Sequence, residues 1–224
     1  MSEEISTTMR DYLAEVYRLA DHNSDDYVST STLADMLDVT APAVNRMVTR
    51  LREINLLEHE PYQGIRLTEA GKREALKELR RHRIAEAFLV KVMGFGWHEV
   101  HEEAKHMSSA LSELLTERMA QMAGNPSYCP HGEPIPTHEG VVEVIHDAFM
   151  SEAQIEGHTV QITRVLTRET DRLEYLTALG LVPGKQLDVL HMAPFNGPIQ
   201  LRLGDEYRIV GHNLAEQIKV LIVS

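Results

Sequence analysis

His82 and Glu86 are four residues apart, so on a helix both project from one face. His101 opens the next apolar-periodic stretch, with Glu102 and Glu103 beside it. Two imidazoles and a carboxylate drawn from two helices suit a borderline divalent metal ion. A single histidine is more often structural; the pair at helical spacing carries the reading. A second spacing, His98, Glu102 and His106 at i, i+4 and i+8, offers another donor set on one helical face. Paired catalytic carboxylates, a Ser-His-Asp arrangement and a Gly-rich phosphate loop are all missing from the sequence, so neither an enzyme nor a small organic substrate is expected.

Cys129 is the only cysteine, which excludes an internal disulfide and any CxxC motif. The formal net charge of -12 is unusual for a nucleic-acid binder, but the charge is unevenly spread. Residues 40–52 hold Arg46, Arg50 and Arg52 and no acid, and residues 72–83 hold six Lys/Arg against two Glu. Residues 99–156 hold eleven acids against Lys105 and Arg118. A basic stripe beside an acidic middle suits DNA at one end and cations further along. No apolar run is long enough to span a membrane. The opening MSEEISTTMRDYL is acidic and amphipathic, unlike a signal peptide, so a cytoplasmic protein without membrane contact is expected.

The elements that must hold these residues fall into three segments. In residues 8–20, Met9, Leu13, Val16, Tyr17 and Ala20 recur at helical spacing, and the polar DHNSDD (21–26) ends that helix. Ser29 to Ser31 offer N-caps for a short helix, TLADMLD. A turn at Val39 and Thr40 leads to Pro42 in the first turn of a second helix, AVNRMVTRLREIN. Val44, Met47, Val48 and Leu51 face inward there, leaving Asn45, Arg46, Thr49 and Arg50 outward. LLEHEP and IRLT form a hairpin across Tyr62, Gln63 and Gly64, and Thr68 caps a long helix. Helix, helix, turn, helix and hairpin make a winged helix-turn-helix over residues 1–75, a unit that binds double-stranded DNA.

In such a unit the second helix lies in the major groove. Thr40, Pro42, Ala43, Asn45, Arg46 and Thr49 are the candidates for base edges. Arg50 with Ser29, Thr30 and Thr32 suits phosphates, and Tyr62, Gln63 and Arg66 sit in the wing.

Residues 73–149 read as helical, with WHEVHEEAKHMSSALSELLTERMAQMAG as one unbroken stretch and HEGVVEVIHDAFM as a further helix after a Pro/Gly-rich loop. Residues 157–224 change to short β-rich runs with one helix, TDRLEYLTALG, suggesting a small five-stranded barrel. The fold expected is therefore mainly α with a small β part.

This order of segments, with RHRIAEAFL (81–89), VHEEA (100–104), CPHGEPIP (129–136) and LGLVPG (179–184), resembles the diphtheria-toxin-repressor and manganese-transport-regulator family along nearly the whole chain. The resemblance implies a helical metal-binding and dimerisation domain over residues 76–150 and an SH3-like domain over 157–224, related to a ferrous-iron-transport protein. It also implies a homodimer that binds palindromic operators when a divalent metal is bound, as a repressor of metal-uptake genes. His82, Glu86 and His101 match the family's ancillary metal site, and Glu169 matches a donor from the SH3-like domain. The family's next donor position holds Arg172, which cannot ligate.

Cys129 and Glu133 match positions that hold an anion beside this metal in iron-dependent relatives, with Arg83 as the matching partner; here Cys129, Glu133 or the intervening His131 can ligate directly. Asp11 matches a ligand of the family's primary site, but the other positions of that site carry Lys105, Ser108 and Ser109. Either Lys105 pairs with Asp11 where the metal would stand, or the site moves to His98, Glu102 and His106. Mn(II) is the expected metal, then Fe(II), with Zn(II) competing in vitro. The alternative is a family member with lost or altered metal control, answering another signal or acting constitutively.

Overall fold

The computed structural model describes residues 5–23 and 27–223. The chain divides into two compact units: residues up to His82 with Pro136–Val142, and Arg83–Ile135 with the chain from Glu143 onward.

In the first unit, α1 (Thr7–Asn23) lays Met9, Leu13 and Val16 against α2 (Thr30–Met36) and α3 (Ala41–Glu53). The residues expected to end the first helix lie partly at 24–26, outside the described residues. Ser29 caps α2 by accepting from the Thr32 amide at 3.0 Å, satisfying one of the donors a helix start leaves open. Pro42 sits in the first turn of α3, where its missing N–H costs nothing. Val44, Val48 and Leu51 of α3 are buried.

The wing follows as β1 (Leu57–Glu60) and β2 (Gly64–Leu67), antiparallel with Leu57 opposite Leu67. Gly64 is required: its φ is +123°, and a Cβ there would lie 2.4 Å from the Val28 carbonyl oxygen. Thr68 caps α4 (Glu69–Lys91), its hydroxyl accepting from the Gly71 amide at 3.0 Å. The winged helix-turn-helix is thus formed as the sequence indicates.

In the second unit the long helix expected after Trp97 is two helices, α5 (Val100–Ser108) and α6 (Glu113–Met122). Apolar periodicity runs across the break, but the serines do not comply. Ser108 and Ser109 donate their hydroxyls back to the carbonyls of Lys105 and His106, and Ser112 caps α6 through the Leu115 amide. The helix expected from HEGVVEVIHDAFM does not form either. Gly140 turns with φ +78°, the β-branched run that follows disfavours helix, and Ala148–Phe149 become strand β3.

The remaining strands are β4 (Thr159–Val165), β5 (Gln186–Met192), β6 (Ile199–Leu203), β7 (Glu206–Val210) and β8 (Ile218–Ile222), with helices α7 (Thr170–Leu179) and α8 (His212–Ala215). All five expected strands form, and β3 joins them in the order β3-β8-β4-β5-β6-β7. Among the described residues no ladder joins β7 to β3, so the SH3-like sheet is open rather than a closed barrel. Its core is one cluster including Ile162, Leu173, Val189, Leu201 and Ile218.

Candidate metal centre and nucleic-acid interface

α4 brings His82 and Glu86 to one face as their spacing requires. The division into units falls between two consecutive residues of this helix, so the helix itself holds His82 against Glu86. His101, in the first turn of α5, places Nδ1 3.3 Å from Glu86 Oε1. The donor atoms of His82, Glu86 and His101 lie within 4.8 Å of one another.

A second group meets the same carboxylate. Residues 127–135 form a small hairpin: Ile135 N–H donates to the Ser127 carbonyl at 2.7 Å and Cys129 N–H to the Glu133 carbonyl at 2.9 Å. At its tip His131 Nδ1 lies 3.4 Å from Glu86 Oε2 and 4.0 Å from Cys129 Sγ. Glu86, Cys129 and His131 also close to within 4.8 Å, so Glu86 is common to both groups. Glu86 is 1% exposed and His131 fully buried, and His131 Nε2 has no hydrogen-bond partner.

Burying a carboxylate among imidazoles and a thiol costs several kcal/mol unless charge is returned to it. The donors fit a divalent first-row cation: two imidazoles and a carboxylate on one side, a carboxylate, an imidazole and a sulfur on the other. Burial, then the Glu86 carboxylate, push the Cys129 thiol well above its ordinary pKa, with Arg168 and Arg83 pulling the other way. Cys129 is therefore a neutral thiol until a cation displaces its proton.

Several expected donors are not brought here. Glu133 is taken by Arg83 in a fully buried ion pair, with Arg168 3.8 Å from its other oxygen. Glu169 starts α7 with its side chain 64% exposed and paired to Arg172 at 2.8 Å, so it supplies nothing to this cluster. His98 precedes α5 rather than riding on it, which breaks the i, i+4, i+8 series, and its Nε2 faces Glu174 at 3.7 Å. Glu102 and His106 are exposed on α5 and close into no donor group among the described residues. Asp11 is half-buried on α1 and Lys105 exposed on α5, in separate units.

Sequence reading missed the surroundings of His131. Gly132 has φ +86°, and a Cβ there would meet the Thr163 carbonyl oxygen at 1.9 Å, so the hairpin tip is pressed onto β4. The Val165 amide donates to the His131 carbonyl at 2.9 Å. Trp97 packs its ring 5.5 Å from the His131 ring and donates to Thr177 of α7 at 2.6 Å. The SH3-like sheet therefore holds the donor hairpin through backbone contacts, where a carboxylate was expected. The only sequence signal was Gly132 itself.

At the other end, α3 exposes Thr40, Pro42, Asn45, Arg46, Thr49 and Arg50, with Ala43 half-buried. The Thr49 hydroxyl donates to the Asn45 carbonyl at 2.9 Å. Ser29 hydrogen-bonds with Thr32 at 2.7 Å, so that pair shapes the start of α2; Thr30 is half-buried beside it. Tyr62 stands fully exposed at the wing tip with φ +68°, beside exposed Gln63. Arg66 is fixed to Glu58 at 2.6 Å and lies over the Tyr27 ring.

A winged helix-turn-helix followed by a buried His/Glu/Cys donor cluster and an SH3-like sheet defines a metal-responsive DNA-binding protein. Comparison with known proteins places it further. Residues 4–65 match the family model "Iron dependent repressor, N-terminal DNA binding domain", residues 68–137 "Iron dependent repressor, metal binding and dimerisation domain", and residues 150–221 the "FeoA domain". The iron-dependent repressor IdeR of Mycobacterium tuberculosis is 30% identical over 234 residues, covering 98% of this chain and 99% of its own. A manganese-dependent transcriptional repressor solved with manganese is 32% identical at a TM-score of 0.89, covering 96% of this chain and all of its own. The structure of ScaR with bound zinc is 29% identical at a TM-score of 0.82, covering 96% of this chain and 99% of its own. The chain belongs to the family of iron- and manganese-dependent repressors, as the resemblance in its sequence implied.

Proposed function

We propose that this protein represses metal-uptake genes by binding palindromic operators as a homodimer when a divalent metal fills the Glu86 cluster. The observation that carries the reading is the buried Glu86 carboxylate, shared by two donor groups in a chain that also presents Asn45 and Arg46 on an exposed recognition helix. Residues 1–75 then bind DNA, 76–150 bind metal and dimerise, and 157–224 support the donor hairpin. His82, Glu86 and His101 are the ligands of one group, and Glu86, Cys129 and His131 of the other. Thr40, Pro42, Ala43, Asn45, Arg46 and Thr49 read base edges, with Arg50 on phosphate.

When bound, the metal would supply positive charge to Glu86 and the donors that meet it from α5 or from the 127–135 hairpin. This chain's residues do the rest. Arg83 and Arg168 hold Glu133 away from the donors, Trp97 and β4 fix His131, and α4 runs without a break into the DNA-binding unit. The gain comes from biasing conformations that already exist toward the one that fits two half-sites.

Mn(II) and Fe(II) suit the donors, and Zn(II), above both in the Irving–Williams order, competes for them in a test tube. The homologous repressors are transcription regulators, and we infer no catalytic activity here. Among the described residues no helix is long and apolar enough to cross a membrane, and we infer a cytoplasmic location from the proposed work on operator DNA.

A second reading is favoured by one observation. At the positions of the family's primary site the Ser108 and Ser109 hydroxyls are spent on helix carbonyls. Metal control is then lost or altered relative to a two-site switch, and the protein answers another signal or binds DNA constitutively. Operator titration after chelation, with Mn(II), Fe(II) or Zn(II) returned singly, separates the two. Metal-enhanced affinity supports the first reading, and equal affinity in every arm overturns it.

A further inference from the structure

Between the donor hairpin and β3 the chain leaves the second unit for seven residues, Pro136–Val142, which belong to the first unit. Both flanks of this excursion are tied down beside the hairpin. On one flank Ile135 and Cys129 complete the hairpin's backbone ladder. On the other, Glu143 accepts from the Tyr128 hydroxyl at 2.6 Å, next in sequence to Cys129.

The excursion is itself closed. Thr137 N–H donates to the Val141 carbonyl at 2.7 Å, Gly140 N–H to the Thr137 carbonyl at 3.0 Å, and Val141 N–H to the Thr137 hydroxyl at 3.2 Å. Gly140, with φ +78°, supplies the left-handed residue this turn needs.

The excursion grips the first unit at two points. Arg80 of α4 donates to the Pro136 carbonyl at 2.7 Å, fixing its start. Val142 at its end packs with Tyr17 against the buried cluster of Ala14 from α1 and Leu76 and Leu79 from α4. α1 is the helix whose adjoining face, Met9, Leu13 and Val16, builds the core of the DNA-binding unit, and Tyr17 packs against both clusters. A stiff turn whose covalent neighbour is the donor hairpin is thus seated on the helices that carry α3.

We propose that Arg80 and Val142 are positioning residues, and that Pro136–Val142 is the strap through which filling of the hairpin donors is passed to α1 and α4. The inference rests on metal loading of the Glu86 cluster as proposed above. A strap with four internal or anchoring hydrogen bonds moves as a piece, so displacement of Cys129 and His131 on ligation is not absorbed before Pro136. Loosening either grip uncouples the hairpin from α1 while leaving the ligands in place.

The test is amide hydrogen exchange on the full-length protein, with Mn(II) alone as the probe and no DNA. In the wild type, Mn(II) slows exchange in residues 127–135 and also around Ala14 and Leu76 to Leu79, by about tenfold if coupling is of ordinary size. In Val142→Ser the hairpin still slows, and the response in α1 and α4 falls below about twofold. Arg80→Gln, which leaves the apolar seat intact, behaves the same way if Val142→Ser is poorly folded.

A response in α1 and α4 that persists in both variants overturns the strap, as does a wild type in which only the hairpin slows. Loss of Mn(II) affinity in both variants also overturns it, because the residues then act on the site rather than beyond it. Operator affinity measured in parallel reports on the functional reading alone. If it ignores Mn(II) while α1 and α4 respond, the repressor reading fails and the strap stands.

Discussion

Arg83 and Glu133 form an ion pair in which both side chains are almost completely buried, 3% and 1% exposed, across 50 residues of sequence. Arg83 also donates to the Pro134 carbonyl at 2.6 Å, so the guanidinium ties α4 to the hairpin by side chain and backbone together. The pair decides the composition of the metal cluster. With Glu133 committed to Arg83, the carboxylate left to face the imidazoles is Glu86.

Removing Arg83 leaves the buried Glu133 carboxylate with Arg168, 3.8 Å from its other oxygen. Arg83→Leu is expected to lower unfolding free energy by about 3–5 kcal/mol, read from urea denaturation of the metal-free protein. Arg83→Leu with Glu133→Leu should recover most of that loss. A single-variant cost under about 1 kcal/mol would show that water reaches Glu133.

Glu86 is common to both donor groups, so Glu86→Gln should abolish tight Mn(II) binding. The loss in Kd should exceed the roughly 10- to 100-fold that removal of a mere supporting partner costs. His101→Ala and Cys129→Ala each remove a donor from one group only. Calorimetric titration of the three variants assigns the ion. Equal, mild losses for His101→Ala and Cys129→Ala point to a Glu86-bridged pair of ions, and a loss confined to one variant points to a single occupied group.

What was legible in the sequence followed from local physics. Pro42, the Ser29 cap and the apolar spacing of Val44, Val48 and Leu51 are decided within a few residues, and the winged helix formed as read. His82 and Glu86 are fixed by helical spacing alone. The helix breaks were harder. Between Ser108 and Ser112 apolar periodicity persists while serine hydroxyls bond back to helix carbonyls where α5 ends, a local alternative that periodicity does not register. Glu169 was placed by resemblance, but its orientation depends on Arg172, three residues on, and on the start of α7. The partners of His131 (Trp97, Thr163 and Val165) lie in elements far from it in sequence, where no period or motif reaches.

On the DNA side, Arg46 stands exposed near the start of α3, and Arg50 one turn further along. Arg46→Ala should cost about 1–3 kcal/mol of operator affinity and relax preference at one base position. Arg50→Ala should weaken all sequences alike and reduce the salt slope by about 1. Fluorescence anisotropy on operator and scrambled duplexes at several salt concentrations tells the two apart. A uniform loss in Arg46→Ala would move that residue from base edge to phosphate.

Gly132 joins the two halves of the second unit. Its φ of +86° already excludes most side chains, and the Thr163 carbonyl leaves no room for a Cβ at 1.9 Å. In Gly132→Ala the backbone must abandon the left-handed region or lift off β4, and either movement breaks the bond from the Val165 amide to the His131 carbonyl. The conformational strain alone amounts to roughly 1–2 kcal/mol. His131 loses its registration against Glu86 at the same time. Gly132→Ala should therefore lower the Tm of the metal-free protein and weaken Mn(II) binding further than that stability change explains. Gly124→Ala is the control, because that glycine has φ +82° but open space around it. It should carry the strain without the effect on metal. If both variants bind Mn(II) like the wild type, the sheet does not set the position of His131.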